Sequence, residues 1–289
     1  MKINKIVIST IKNLLPPILF SRLRSVKFFR DFFCNGRIEY SGDFSSWSNA
    51  MSKCSGYNSD NILSKVLSAT MQVKSGSAAY ERDSVVFYKD EYVWSLLASL
   101  MWAAAKTKGI LNVLDFGGAL GSSYFQNRRF LHSLTNVQWS VVEQANFVRN
   151  GRKFIQDDKI RFFETVDECV SENKPNVILL SSVLQYIEFP ELLIEKLSNL
   201  GADTLIIDRT PFLSGRGKKL VIQNVPPSIY TASYPMWIFS IDDFMKLVEK
   251  DWVLVAKDLS PEGYVYADDN MRFSFNMMIF ESKNDYKKP

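Results

Sequence analysis

The stretch "NVLDFGGALGSSYF", residues 112–125, decides the fold. An apolar run ends in Asp115, and it is followed by Gly117, Gly118 and Gly121 within a span of five positions. A strand that stops at such a turn and reopens as a helix brings its backbone close to whatever lies on it, because glycine carries no Cβ and tolerates left-handed φ. A phosphate-binding loop would end in Gly-Lys-Ser/Thr, the lysine neutralising phosphate. Here Ser122 and Ser123 follow Gly121. A dinucleotide fingerprint needs G-x-G-x-x-G. Counted from Gly117, the later glycine positions hold Ala119 and Ser122; counted from Gly118, they hold Leu120 and Ser123. What fits is apolar, apolar, Asp-x-Gly-x-small-x-Gly: Val113, Leu114, Asp115, Gly117, Ala119 and Gly121. Two readings stay open from the turn alone: a strand–helix turn without a ligand, or a ligand without phosphate.

The sequence around it alternates short apolar runs with helical patterns. The runs are 111–116, 137–143, 160–163, 176–182 and 203–208; the helical patterns lie near 122–134, 144–156, 165–173 and 190–200. Five β–α units predict an α/β fold with a parallel sheet covered on both faces. Residues 252–258 and 272–281 read as a closing antiparallel pair, after a helix opened by Ser240 and Asp243 in a capping box. Between 209 and 239 the prolines at 211, 226, 227 and 235 read as an irregular insert. Residues 1–90 read as helices and polar loops. One helical stripe carries Ile62, Leu63, Val66, Leu67 and Met71, capped by Ser59 or Asp60 and ended by Gly76; a second helix near 90–108 carries Trp94, Leu97, Leu100, Met101 and Ala104 and stops at Gly109.

Composition narrows the class. The chain has 289 residues, enough for one large domain or a domain with an appendage. Its 35 basic and 31 acidic residues are too balanced to point to nucleic acid. Cys34, Cys54 and Cys169 form no C-x-x-C pair, so neither a disulfide framework nor a zinc site follows and a reducing cytoplasm is the default. The N-terminal segment alternates basic and apolar residues, and its apolar run 14–20 is broken by Pro16 and Pro17. That is short of the ~20 residues of a membrane span. It reads either as amphipathic helices packed on the domain or as a basic surface, residues 1–30, resting on an anionic membrane.

The glycine turn resembles the first motif of Rossmann-like S-adenosylmethionine (SAM) methyltransferases, with Ala119 in place of that pattern's middle glycine. SAM has no phosphate, so no lysine is needed. Further stretches narrow the resemblance. "YSGDFSSW" (40–47), "GYNSDNIL" (56–63), "AAYERDSVVF" (78–87), "SSVLQYIEFP" (181–190), "IIDRTPFL" (206–213) and "VPPSIYTASYPMWIFS" (225–240) look like the methyltransferase family encoded in bacterial O-antigen and capsular polysaccharide clusters. The resemblance implies a class I methyltransferase fold: a mostly parallel seven-stranded sheet over 109–289 with an antiparallel closing strand, a helical extension over 1–108, and a lid over 209–239. It implies SAM as cofactor, held by Asp115, Gly117, Gly118, Ala119 and Gly121, with Glu143, Glu164, Ser181 and Ser182 at the following strand ends. Asp115 suits the ammonium end of SAM, directly or through water. Glu143 lies 22 residues after Gly121, at the distance of an acid that takes ribose hydroxyls.

For the acceptor, the resemblance implies a glycan or a nucleotide- or lipid-linked sugar. Ligands bind beyond the carboxyl ends of parallel strands, which brings Gln185, Tyr186, Asp208 and Arg209 to the same place. Tyr230, Tyr234 and Trp237 of the insert read either as a stacking surface for a sugar ring or as the core of a lid. Asp208 is the candidate base; its alternative is a salt bridge with Arg209 or another base. Tyr186 is the second catalytic candidate, or else a core aromatic. His132 reads as structural, and no metal cluster stands out. The competing expectations are a catalytically silent, methyltransferase-like binding partner, and a nicotinamide enzyme, which the glycine registers disfavour.

Overall fold

The computed structural model describes residues 38–54, 59–226, 229 and 232–286. Its centre is the set of strands read from the sequence: β4 (Ile110–Phe116), β5 (Asn136–Val142), β6 (Ile160–Phe163), β7 (Val177–Ser181) and β8 (Thr204–Leu213). They run parallel in the order β6-β5-β4-β7-β8. β12 (Arg272–Ser282) joins antiparallel on the far edge of β8, and β11 (Trp252–Tyr266) pairs antiparallel with β12. The result is a mostly parallel sheet with one antiparallel strand inserted beside the fifth parallel strand.

Both faces are covered, so the strands are continuous apolar runs rather than alternating ones. On one face Leu111, Val113, Trp139, Val141 and Leu179 pack with Leu100 of α3 (Trp94–Lys106), Leu131 of α4 (Ser122–Leu131) and Phe147 of α5 (Ala145–Asn150). On the other, Leu114, Ile178, Leu180 and Ile207 pack with Ile194 and Leu197 of α7 (Pro190–Ser198) and Phe244 of α8 (Ile241–Val248). Cys169 of α6 (Val166–Glu172) joins the second face. Ser240 caps α8 by accepting the Asp243 N–H at 3.2 Å.

The segment before 109 contains α1 (Trp47–Met51), α2 (Ser59–Lys74) and α3, and adds three short strands to the expected helices. β1 (Glu39–Ser41) sits on the edge of the main sheet, while β2 (Tyr80–Arg82) and β3 (Val85–Phe87) form a separate hairpin. Ile62, Leu63 and Val66 of α2 are buried as the stripe predicts, but Met71 is exposed and Val73 is buried instead. Trp94 is likewise exposed at the start of α3, where the buried face runs through Leu96, Leu97 and Leu100. The capping expected of Ser59 or Asp60 lies outside the described side chains, as does the whole of residues 1–30.

Residues 209–239 correct the sequence reading. Among the described residues of this stretch most are in strands: β8 continues to Leu213, and β9 (Lys219–Val225) and β10 (Ala232–Ser240) pair antiparallel and extend the sheet towards β1. β7 pairs with β8 only as far as Asp208, and β10 takes that edge at Phe212 and Leu213. Over most of its length β10 is paired on one side alone, which is where proline is tolerated in a strand. Pro235 sits there, opposite Ile222. The hairpin thus stands above the carboxyl end of β7.

Candidate active site at the carboxyl ends of the strands

The glycine turn is packed from beneath. Gly117 donates its N–H to Val142 O at 2.9 Å, tying the turn to β5. Asp115 is 1% exposed, and its Oδ2 accepts the Trp139 indole N–H at 2.9 Å. A Cβ on Gly118 would fall 2.4 Å from that carboxylate, and one on Gly117 2.3 Å from Val183 of the β7 loop. Glycine is therefore required by the closeness of the turn to the strand ends on either side. Burial pushes the Asp115 carboxyl up to about 7, with the Glu143 charge adding to it and the Trp139 bond opposing it. Asp115 is a prop under the turn, covered by Gly118, rather than an open contact for a ligand.

Glu143 follows β5 and is half-buried. One carboxylate oxygen accepts the Gln144 N–H at 2.8 Å; the other accepts no hydrogen bond among the described residues. Burial raises its proton affinity. Glu164 follows β6 with an exposed side chain; its N–H goes to Glu168 Oε2 at 2.9 Å.

At β7 and β8 the polar groups converge. Ser181 Oγ donates to Asp208 Oδ2 at 2.8 Å, and the Ser182 N–H donates to Asp208 O at 2.9 Å. Between Ile207 and Thr210 the register with β12 shifts by one residue, so Asp208 and Arg209 together face Met277. This β-bulge re-aims both side chains. Asp208 is 1% exposed; its Oδ1 has no partner among the described residues, and burial raises its pKa against the opposing pull of Arg209. Gln185, fully buried, donates to Ser182 Oγ and Arg209 O at 3.3 Å each. Its Oε1 is also unpartnered among the described residues. Tyr186 donates to Gln223 Oε1 at 2.9 Å, and Gln223 donates to the Tyr234 hydroxyl at 3.2 Å. The two tyrosine rings meet edge to face at 5.1 Å.

Arg209 does not form the hydrogen-bonded pair with Asp208 that the sequence left open. Its Nε donates to Glu262 Oε1 at 2.7 Å and its terminal nitrogen lies 3.3 Å from Asp83 Oδ2. Trp237 corrects another grouping. It is three residues from Tyr234 on one strand, and side chains an odd number apart point to opposite faces. Its ring lies 5.9 Å from Trp47 with the Lys218 ammonium 4.0 Å above it, away from the tyrosine pair. Tyr230 lies outside the described residues. His132 is exposed at the end of α4.

Sequence reading missed Glu81, Asp83, Gln223 and Glu262. Backbone geometry marks the same place. Non-glycine residues with positive φ include Ala119 and Ser182, just after β4 and β7, Arg209 on the bulge within β8, and Asp83 and Ser84, the turn of the β2–β3 hairpin that reaches Arg209. Each left-handed conformation with a Cβ costs about 1–2 kcal/mol, and such strain collects at functional sites. Two surface hollows lie elsewhere, one beside Tyr88 and Arg128 and one between α7 and α8; neither contains a buried charged side chain.

No family model matches the chain, and no curated protein matches it by sequence. Solved structures with a related shape include the N-terminal domain of EvdMO1, crystallised with SAH (S-adenosylhomocysteine) and D-fucose. It is 10% identical, with a TM-score of 0.46 over 78% of this chain and 98% of that one. The N-methyltransferase NodS from Bradyrhizobium japonicum, solved with SAH, is 12% identical, with a TM-score of 0.40 over 74% of this chain and 98% of that one. Magnesium protoporphyrin IX methyltransferase from Synechocystis, solved with SAM, is 13% identical, with a TM-score of 0.39 over 74% and 96%. The likeness is remote in sequence and partial in shape; the strand order itself defines the fold.

Proposed function

We propose that the chain is a SAM-dependent methyltransferase acting on a hydroxyl group of a sugar, in the synthesis of a bacterial surface polysaccharide. The observation that carries this reading is Asp208: a buried carboxylate on a β-bulge, level with the end of β7, with one oxygen that has no partner among the described residues. The residues present fit the cofactor. Glu143 offers a carboxylate oxygen that has no partner among the described residues and suits ribose hydroxyls, and the turn is seated so low by Gly117 and Gly118 that a ligand can lie across it. When bound, SAM supplies a methyl carbon activated by a sulfonium sulfur. Holding the acceptor in line is worth up to ~7–11 kcal/mol in favourable systems.

Three of the buried oxygens that lack a donor among the described residues support a hydroxyl-bearing acceptor: Asp208 Oδ1, Gln185 Oε1 and Glu262 Oε2. An unsatisfied buried acceptor costs about 1–3 kcal/mol, which sugar hydroxyls would recover. Ser181 holds Asp208 Oδ2, which leaves Oδ1 free to accept the proton of an acceptor hydroxyl; a bound SAM would supply the methyl group and leave as SAH when its sulfur–methyl bond breaks. Burial makes this carboxylate a stronger base than one in water. The edge-to-face tyrosine pair, locked through Gln223, gives the site a rigid aromatic wall.

The test is transfer of labelled methyl from SAM to lipid- or nucleotide-linked glycans, comparing the natural chain with Asp208→Asn. The expected outcome is a fall in turnover of roughly 10²–10⁴-fold with SAH affinity retained. Near-normal turnover with a lowered melting temperature would make Asp208 a structural residue. No methyl transfer by the natural chain to any glycan would favour a silent binding protein.

A further inference from the structure

We infer that Glu81, on the β2–β3 hairpin, is the countercharge for the α-ammonium of the cofactor's amino-acid tail. The inference rests on the SAM reading above and assigns a residue from outside the parallel core to it. The glycine turn leaves that ammonium without an open carboxylate of its own, because Asp115 lies beneath the turn and is 1% exposed. Glu81 lies beside the turn. Its Oε1 accepts the hydroxyl of Ser122, the first residue of α4 and the one directly after Gly121.

Glu81 is 4% exposed. Its protein partners are that hydroxyl and the Ser84 N–H at 3.3 Å, and no ion pair to it occurs among the described residues. A carboxylate shut away from water without a cation is costly, and such groups either take a proton or acquire a cationic partner. The environment leans the same way: burial pushes its carboxyl up to about 7 against the Ser122 bond. A cationic ligand group beside the turn would settle that charge.

The position is fixed, not incidental. Arg82 pairs with Val85 across a two-residue turn in which Asp83 and Ser84 both have positive φ, and Asp83 anchors the turn to Arg209 at the acceptor end of the site. One hairpin thus spans both halves of the site, with Glu81 at the cofactor turn and Asp83 at β8.

Calorimetry on the full chain tests this with three ligands: SAH, the deaminated analogue of SAH that keeps its carboxylate, and 5′-methylthioadenosine, which lacks the whole tail. A lost charge-assisted hydrogen bond corresponds to about 10–100-fold in affinity. Glu81→Gln, which retains the hydrogen bond to Ser122, should weaken SAH by that factor and leave methylthioadenosine within about twofold. The natural chain should bind the deaminated analogue more weakly than SAH by a similar factor, a comparison that needs no variant to fold. Glu143→Ala should weaken SAH and methylthioadenosine alike. Equal binding of SAH and its deaminated analogue by the natural chain would overturn the assignment, as would an equal loss of both SAH and methylthioadenosine in Glu81→Gln. If the natural chain binds none of the three while Glu81→Gln folds normally, the SAM reading itself falls, and the inference with it.

Discussion

At the scale of single residues, Asp115 shows how a correct motif can carry a role the sequence does not display. Its spacing from Gly117 and Gly121 was legible, and so was the strand it ends. That it points down onto Trp139, 24 positions later in the chain, was not, because nothing local encodes which face of a strand end meets the neighbouring strand. The consequence is a pH dependence with a definite sign. A carboxyl whose native pKa is about 7, against about 3.9 when unfolded, binds its proton more tightly in the native state. The stability it lends is full below about pH 4 and is lost as pH rises to about 7. Asp115→Asn keeps an oxygen for Trp139 and removes the titration. Urea unfolding should therefore show the variant gaining on the natural chain between pH 4.5 and 7, by on the order of 1 kcal/mol per pH unit, and holding a constant lead above that. A gap independent of pH would mean that Asp115 titrates normally.

Among the elements, β8 is the one whose reading changed most. The proline at 211 suggested that the strand ended at Asp208. In the sheet, β7 leaves that edge at the same residue and β12 supports the other side, so the strand continues. The bulge at Asp208 and Arg209 comes from pairing with β12, more than sixty residues away, and had no local signal. Arg209 then ties three elements together: β8, β11 through Glu262, and the β2–β3 hairpin through Asp83. Burial opposes its charge, but Asp83, Glu262 and Asp208 outweigh that and keep it ionised. Breaking a buried pair by removing one partner costs about 3–5 kcal/mol when both are fully enclosed. Here the Arg209 and Glu262 side chains are 17% and 25% exposed, so Arg209→Ala should destabilise by about 2–3 kcal/mol. Chemical unfolding measures this directly, and a change below about 0.5 kcal/mol would show that the three-way tie contributes nothing to the fold.

For the molecule as a whole, the alternation of apolar runs and helical patterns from 110 onward was enough to place the parallel strands and the closing pair, because strands buried on both faces leave no other trace. The candidate site was half legible. The glycine turn, Glu143, Ser181 and Asp208 follow directly from strand ends. Glu81, Asp83, Gln223 and Glu262 come from a hairpin, an added strand and a bulged edge whose approach is set by tertiary packing. Trp237 was misplaced for the same reason, since an odd spacing along β10 turns it to the other face. On the proposed function, this sheet and turn hold a sulfonium nucleoside rather than a dinucleotide. Titration calorimetry of the full chain with SAM, SAH and NAD tests it most directly. Binding should be saturable for SAM and SAH and absent for NAD; binding of NAD without SAM or SAH would overturn the proposed function.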